Sequence, residues 1–444
     1  MADTIFAPAT APGRAAIAIV RLSGPETKAV LIALLGECPA PRRASLKDIR
    51  AEDGSLIDRA LVIFFESPRS FTGEDSAEFQ IHGGRAVLSA LLDQLSKVPN
   101  CRPAEAGEFS RRAVMNGVMD LTEAEGLADL IDAETEAQRR VASRQMAGEL
   151  GRVSDQWREK LIDCLARSEA VLDFSDEADV IEERAFRSVE ADLTLLRDEM
   201  AKALVTAERG ERLRDGLLVL IAGPPNAGKS SLLNHLARRD VAIVSPIAGT
   251  TRDLIEVHLD LEGYPVTLID TAGIRESNDP VELEGMRRTR ERAELADLVL
   301  WLQPSDVETE LGSEQISGGE AQVLTVRTKA DLAPSALALS PVVIPISVKT
   351  NLGIDALVAR LKQEAETRLW VANDDVVLTR ARHKSIVAEA LSALDHALAS
   401  FEHGLPELIV EDIRLAARAI GRMTGHVGVE EILDRLFSSF CIGK

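Results

Sequence analysis

Four cysteines in 444 residues, Cys38, Cys101, Cys164 and Cys441, are widely scattered and form no C-x-x-C pair. Their scarcity excludes a disulfide framework and a cysteine-built metal cage, and it fits a reducing compartment. No stretch reaches the roughly 18 consecutive apolar residues of a membrane span. The start, Met1-Ala2-Asp3-Thr4, lacks the basic residue and apolar core of a secretory signal. These absences lead to the expectation of a soluble cytoplasmic protein with no membrane partner. A surplus of positive charge is missing too. With 51 Lys and Arg against 72 Asp and Glu, the formal net charge is −21, which argues against tight autonomous binding to nucleic acid.

The charge is uneven along the chain. Residues 1–118 hold 14 basic and 14 acidic side chains, whereas 119–215 hold 14 and 25. An acidic helical part is a poor docking surface for RNA, so a more basic second protein is the natural RNA carrier. Proline is absent from 119–215, and there is no internal repeat or low-complexity tract.

Residues 1–118 read as α+β, with strand-like runs such as Ala15–Leu22 and Ala60–Phe65 punctuated by Gly and Pro. From about Leu121 to Leu213, apolar residues at three- and four-residue spacing predict long helices. Leu217–Ala222 is a continuous apolar run with buried-strand character, and strands then alternate with helices to about residue 372, which implies a parallel sheet. Helical texture returns near Thr379. The simplest account is one helical domain, 119–215 and 373–444, interrupted by an α/β insert at 216–372 and preceded by an α+β domain at 1–118.

The apolar run leads into Gly223-Pro224-Pro225-Asn226-Ala227-Gly228-Lys229-Ser230-Ser231. This matches G-x-x-x-x-G-K-[ST] in a strand–loop–helix setting, where backbone N–H groups wrap phosphates. Lys229 would reach the β- and γ-phosphates and Ser230 would ligate Mg²⁺. After a further strand, Leu268-Ile269 runs into Asp270-Thr271-Ala272-Gly273, a D-x-x-G whose Asp holds Mg²⁺ through water and whose Gly amide senses the γ-phosphate. Between these motifs lies Gly249-Thr250-Thr251-Arg252-Asp253, with Thr251 as a second Mg²⁺ ligand. Thr328-Lys329-Ala330-Asp331 follows another strand. A carboxylate at Asp331 accepts the N1 and N2 protons of guanine, a donor pair that adenine lacks. Thr328 stands where this motif usually has Asn, so a hydroxyl replaces an amide. Ser347-Val348-Lys349, after the strand Val342–Ile346, resembles the element that backs the base. Each motif alone is weak, but five in order point to a GTPase.

The catalytic parts are less complete. Ile274 occupies the position of the water-orienting Gln of Ras-type enzymes, and no arginine finger is evident in cis, although Arg252 and Arg275 are near. Two readings of Asn226 stand: an oxygen ligand to a K⁺ that replaces the arginine finger, or a turn residue. The acidic stretch Glu276, Asp279, Glu282 and Glu284 either orients water or is a solvated loop, and the residues alone leave that open.

The phosphate loop, Ile247-Ala248-Gly249-Thr250-Thr251-Arg252-Asp253, Asp270-Thr271-Ala272-Gly273 and the ending Phe440-Cys441-Ile442-Gly443-Lys444 together resemble the MnmE family, also called TrmE, of bacterial tRNA modification GTPases. Ala11-Pro12-Gly13-Arg14, Ser70-Phe71-Thr72-Gly73-Glu74-Asp75, His82-Gly83-Gly84 and Pro103–Phe109 extend the likeness over the whole chain. The resemblance implies a folate-binding and dimerising N-terminal domain, a helical domain and an inserted GTPase domain. It implies K⁺-stimulated hydrolysis by a homodimer, with Asn226, Ser245, Ile247 and Thr250 as K⁺ ligands in a segment that includes Pro246 and Ala248. Glu282 is similar in position to the water-orienting glutamate. With an FAD-containing MnmG-type partner, the family adds an aminomethyl or carboxymethylaminomethyl group to C5 of the wobble uridine of certain tRNAs. The one-carbon unit comes from a tetrahydrofolate in its 5-formyl or 5,10-methylene form. Arg21, Glu78 and Lys444 match folate-contact positions, and Val118 stands where relatives carry Lys, which removes one cation. Cys441 is a candidate functional thiol, with a packed C-terminal residue as its alternative; the other cysteines read as core fillers. His82 is either near the folate or structural. The rival classes are a ribosome-assembly GTPase switch, with no basic RNA-binding appendage to support it, and a scaffold, which would have no need of Lys229, Ser230, Thr251 and Asp270.

Overall fold

The computed structural model describes residues 3–443 apart from 174–178, 225, 240, 244–255, 271–295, 307–320, 333–342, 371–375, 404, 426–436, 438–439 and 441–442. The chain divides into two compact units. One holds Met1–Ala128, Met146–Arg158 and Ile420–Lys444, and the other holds Asp129–Gln145 and Glu159–Ala419.

The first unit is built on β1 (Thr4–Pro8), β2 (Ile17–Ser23), α1 (Thr27–Leu35), β3 (Ser45–Arg50), β4 (Leu56–Phe65), β5 (Ser76–His82), α2 (Arg85–Lys97), β6 (Cys101–Pro103) and α3 (Glu108–Met115). Its six strands run in the order β3-β4-β5-β2-β1-β6. Neighbours are antiparallel except β1 and β6, which are parallel. Alternation decides the faces. Ala18, Val20 and Leu22, with Val62, Phe64, Phe79 and Ile81, point into one core with Val30, Leu31 and Leu34 of α1 and Leu91 and Leu95 of α2. Each large apolar side chain buried there contributes about 1.5–3 kcal/mol. The opposite parity places Arg21 directly across from Glu78.

Helices follow where proline is absent. α4 (Leu121–Asp132) starts with a reciprocal cap. Asp120 Oδ1 accepts the Glu123 N–H at 2.8 Å, and Glu123 Oε2 accepts the Asp120 N–H at 2.7 Å. Thr135 and Gln138 start α5 (Glu136–Met146) in the same way, with the Thr135 N–H donating to Gln138 Oε1 at 3.1 Å. α6 (Glu149–Asp173) and α7 (Asp179–Asp215) complete this run. At the far end of the chain, Phe437 and Phe440 pack with Leu121 and Ala124. Gly443 lies against the backbone of Pro8 and Ala9, beside the first strand.

In the second unit α7 passes through Gly216 alone into β7 (Leu217–Ala222), followed by α8 (Lys229–Leu236), β8 (Glu256–Leu261), β9 (Tyr264–Asp270), β10 (Leu298–Pro304), β11 (Gln322–Thr328), β12 (Val343–Pro345) and α9 (Ile354–Leu369). The strand order is β12-β11-β10-β7-β9-β8. Pairing is parallel from β12 to β9, as the alternation of strands and helices predicts. The edge strand β8 departs from that expectation and runs antiparallel to β9. The cause is the two-residue turn Glu262-Gly263, with φ of 53° and 98°, the left-handed pair that closes a tight hairpin.

α10 (Ala381–His403) packs along α7, and α11 (Pro406–Thr424) follows. Asp297, just before β10, ties both connections of the α/β part. Its carboxylate pairs with Arg212 of α7 at 2.9 Å and accepts the Leu218 N–H at 3.0 Å. Its carbonyl accepts from Arg368 of α9 at 2.9 Å. Among the described residues no helix is long and apolar enough to cross a membrane.

Candidate nucleotide site

The carboxyl ends of β9, β7, β10 and β11 follow one another along the sheet, the edge of a parallel sheet where ligands bind. From β7 the chain enters the phosphate loop at Gly223, φ 149°. A Cβ there would meet the Leu302 carbonyl oxygen at 2.5 Å, so only glycine lets the loop leave the sheet this closely. Asn226 is exposed with φ 64°, Ala227 is buried, and Gly228 caps α8 with φ 93°. Lys229 opens α8, and its Nζ donates to the carbonyls of Gly223 at 2.8 Å and Pro224 at 3.1 Å. This holds the ammonium over the mouth of the loop. Ser230 Oγ donates to Oδ2 of Asp270 at 2.7 Å. Asp270 ends β9 and is only 2% exposed. Ser231 faces solvent.

The base side is tied to the phosphate side by an unforeseen contact. Thr328, at the end of β11, donates its hydroxyl to the Ala227 carbonyl at 2.7 Å, and both residues are buried. The hydroxyl that replaces the usual amide therefore fastens the middle of the phosphate loop. Lys329 has φ 55° and pairs with Asp306 at 2.8 Å; this contact holds the Asp306 carboxyl below its ordinary range. A left-handed non-glycine residue costs about 1 kcal/mol or more and persists where the surroundings fix it. Asp331 is half-buried in the single turn Ala330–Leu332. Ser347 is buried, its N–H donating to the Leu352 carbonyl at 2.9 Å. Val348 packs on the core and Lys349 is exposed.

The structure thus brings together Asn226, Ala227, Gly228, Lys229, Ser230 and Asp270, with Thr328 against them. Ser245, Pro246, Ile247, Ala248, Gly249, Thr250 and Thr251, Thr271, Ala272 and Gly273, Glu282, Cys441 and Lys444 lie outside the described residues.

A second polar cluster occupies the first unit. Arg21 and Glu78 form an ion pair at 3.0 Å. The Arg21 guanidinium lies 4.9 Å from the ring centroid of Phe71 and 5.8 Å from that of Phe109, a cation–π arrangement. Sequence reasoning missed both rings; their signal was their rarity, since the chain has only 11 Phe, 3 Trp and 1 Tyr. Arg112, three residues after Phe109, is fully buried, and its Nη1 and Nη2 pair with Asp3, Glu74 and Glu108. Val118 is exposed and lies close to Gly73, and its N–H is engaged by the Ala113 carbonyl at 2.9 Å. His82 ends β5, with Nδ1 2.8 Å from Oδ1 of Asp58. Cys38, Cys101 and Cys164 are free thiols. Burial pushes Cys101 and Cys164 up to about 11, which leaves them protonated and inert.

Fold and site together define a P-loop protein of the GTPase class. The profile of the "GTP-binding protein TrmE N-terminus" matches residues 4–118, and that of the "MnmE helical domain" matches residues 121–441. The tRNA modification GTPase MnmE of Methylobacterium sp. (strain 4-46) is 52% identical over 450 residues, covering 100% of both chains. That of Rhodospirillum rubrum is 51% identical, covering 100% of this chain and 99% of its own. Among solved structures, the G domain of the T. maritima FeoB iron transporter is 26% identical, covering 34% of this chain and 98% of that one, with a TM-score of 0.25. The chain belongs to the MnmE (TrmE) family.

Proposed function

We propose that this chain hydrolyses GTP at the phosphate loop and uses that cycle in the modification of tRNA. One observation carries the reading. The loop with Lys229, the Ser230–Asp270 pair and the Thr328 turn converge at one sheet edge, in a chain 52% identical to a full-length tRNA modification GTPase. In this reading 216–372 is the inserted GTPase domain, 119–215 and 373–444 form the helical domain, and 1–118 binds folate and dimerises.

The residues present suit Mg²⁺. Ser230 Oγ is a hard oxygen donor that would ligate the ion directly, and the Asp270 carboxylate, 2.7 Å from it, would hold the ion through water. Thr251 adds a further oxygen, and the bound ion neutralises charge on the β- and γ-phosphate oxygens. Phosphate oxygens replace the Gly223 and Pro224 carbonyls around Lys229. Guanine is chosen by Asp331 and backed by Ser347, Val348 and Lys349. Asn226, exposed on the loop, suits an oxygen donor to K⁺ together with Ser245, Ile247 and Thr250; that ion supplies the positive charge an arginine finger supplies elsewhere. Glu282 orients the attacking water.

Arg21, Glu78 and the half-buried Phe71, backed by the buried Phe109, make a charged and aromatic cradle that suits the hydrogen-bonding pterin ring of a tetrahydrofolate. Gly443 lies against the backbone of Pro8, which pairs with Val20 beside Arg21, and this supports the reading in which Lys444 contacts the folate and Cys441 is a functional thiol. The modification then needs a homodimer, an MnmG-type FAD protein that carries most of the tRNA contact, and the cytoplasm as its compartment. The acidic charge of the chain supports that division of labour.

The test is GTP turnover in KCl against NaCl at matched ionic strength, for wild type and Asn226→Ala. Stimulation by K⁺ that disappears in the variant is expected. Equal rates in the two salts would overturn the cation mechanism and favour an assembly-type GTPase that needs an external activator.

A further inference from the structure

The β8–β9 hairpin has one end at the phosphate site and the other on a helix. β9 finishes on Asp270, which accepts the Ser230 hydroxyl. At the opposite end of the hairpin, the Gly263 carbonyl accepts the Ala137 N–H at 3.1 Å. Ala137 belongs to the first turn of α5, where N–H groups have no partner within the helix. The Ala137 side chain is 7% exposed and packs in the same core as Leu259, Leu261 and Val266 of the hairpin. Alongside, Glu134 lies 3.7 Å from His258 of β8, whose ring also meets Thr267 of β9 at 3.2 Å. Gln138 of α5 donates to the Arg214 carbonyl at 2.9 Å, at the end of α7 that leads into β7.

Space for movement lies beside this helix. A pocket of about 180 Å³, partly open to solvent, is lined by Gln138, Val141 and Ala142 of α5 and by Gly210 and Leu213 of α7. Close-packed contacts transmit displacement, and a helix held at its first turn by the hairpin with open space on its other side can follow the hairpin without displacing packed side chains there.

We propose that the β8–β9 hairpin and α5 form a reader of the nucleotide state. A change at Ser230 and Asp270 displaces β9, the hairpin turn carries the displacement, and α5 responds through Ala137 and Glu134. This rests on the reading that the phosphate loop binds GTP.

Amide hydrogen exchange on the full chain tests it, with GDP or a non-hydrolysable GTP analogue, and with a fluorescent nucleotide to report binding in the same samples. Amides in 134–142 and 258–264 are expected to exchange at rates that differ about threefold or more between the two nucleotides. Binding with equal exchange would overturn this inference alone; no binding would overturn the GTPase reading with it.

A crosslink supplies the second arm. The Glu136 Cβ lies 3.8 Å from where a Cβ on Gly263 would stand, within the range of a disulfide. Because coupling is reciprocal, oxidised Glu136→Cys/Gly263→Cys should shift its ratio of GTP-analogue to GDP affinity about fivefold or more against the same chain reduced. Oxidised wild type controls for the native cysteines. An unchanged ratio in the verified crosslink would overturn the reader.

Discussion

The hydroxyl of Thr328 reaches the phosphate loop rather than the base, and that decides what its replacement should do. Thr328→Val leaves the buried Ala227 carbonyl without its donor, a loss of about 1–3 kcal/mol, which corresponds to about fivefold to 150-fold in affinity where it falls on the bound state. GTP and ITP binding should weaken together, because base choice lies with Asp331, while Thr328→Ser should bind as wild type does. Titration of the two nucleotides checks this, and a Val variant with unaltered affinity would show the contact to be idle. Lys229, Ser230 and Asp270 were legible in the sequence because a phosphate loop and the end of a strand fix their neighbours locally. Thr328 against Ala227 was not, since that contact joins residues 101 apart and depends on which strands lie adjacent. Arg21 with Glu78 is a similar case. Resemblance pointed to both residues, but only the antiparallel register of β2 and β5 explains why they form an ion pair.

Among the elements, the long helices and the strand leading into the phosphate loop were the most legible, the expected Leu217–Ala222 coinciding with β7. Continuous apolar runs and proline-free periodicity are local signals. The edge hairpin was less legible, although Glu262-Gly263 between two runs of alternating apolar residues was its signature. A left-handed Glu is unusual, and the alternation of strands and helices favoured an all-parallel reading. Helix starts carry a signal of their own in Asp120 and Glu123. Asp120→Ala removes the acceptor for the Glu123 N–H and should cost about 1 kcal/mol of stability. Glu123→Gln should cost little, because an amide oxygen still accepts the Asp120 N–H. Burial also holds the Glu123 carboxyl above its ordinary value, so a neutral amide suits the site. Thermal unfolding of the two variants checks both; a Gln variant as unstable as the Asp120 variant would refute the reciprocal cap.

Acid should act unequally on the molecule as a whole, because the half-buried and buried carboxyls with lowered pKa gather in the unit that holds residues 1–128. At Asp58 burial pushes the carboxyl up, but hydrogen bonds from the His82 N–H and ring and from the Arg59 N–H outweigh it and leave the group below 3.8. At Glu108 burial is outweighed by Arg102, the Glu105 N–H and Arg112, leaving it below 4.5. Asp3, between Arg102 and Arg112, is also lowered. A folded-state pKa below the unfolded one means that the unfolded chain takes up the proton first. The stability these groups supply is therefore complete above about pH 5 and is lost as the pH falls through their folded values. Glu123 shifts the other way, gains a proton in the folded state first and opposes the loss at its onset; Asp412, also shifted up, does the same for the other unit. Calorimetric scans between pH 7 and pH 2.5 should accordingly show the transition of this unit holding steady to about pH 5 and then dropping ahead of the other. Asp58→Asn should lower that transition at pH 7, by an amount corresponding to about 1 kcal/mol for the weakened hydrogen bonds, and the gap to wild type should narrow as the pH falls through the lowered pKa of Asp58. A gap that stays constant across the range would show that the Asp58 charge contributes nothing to stability.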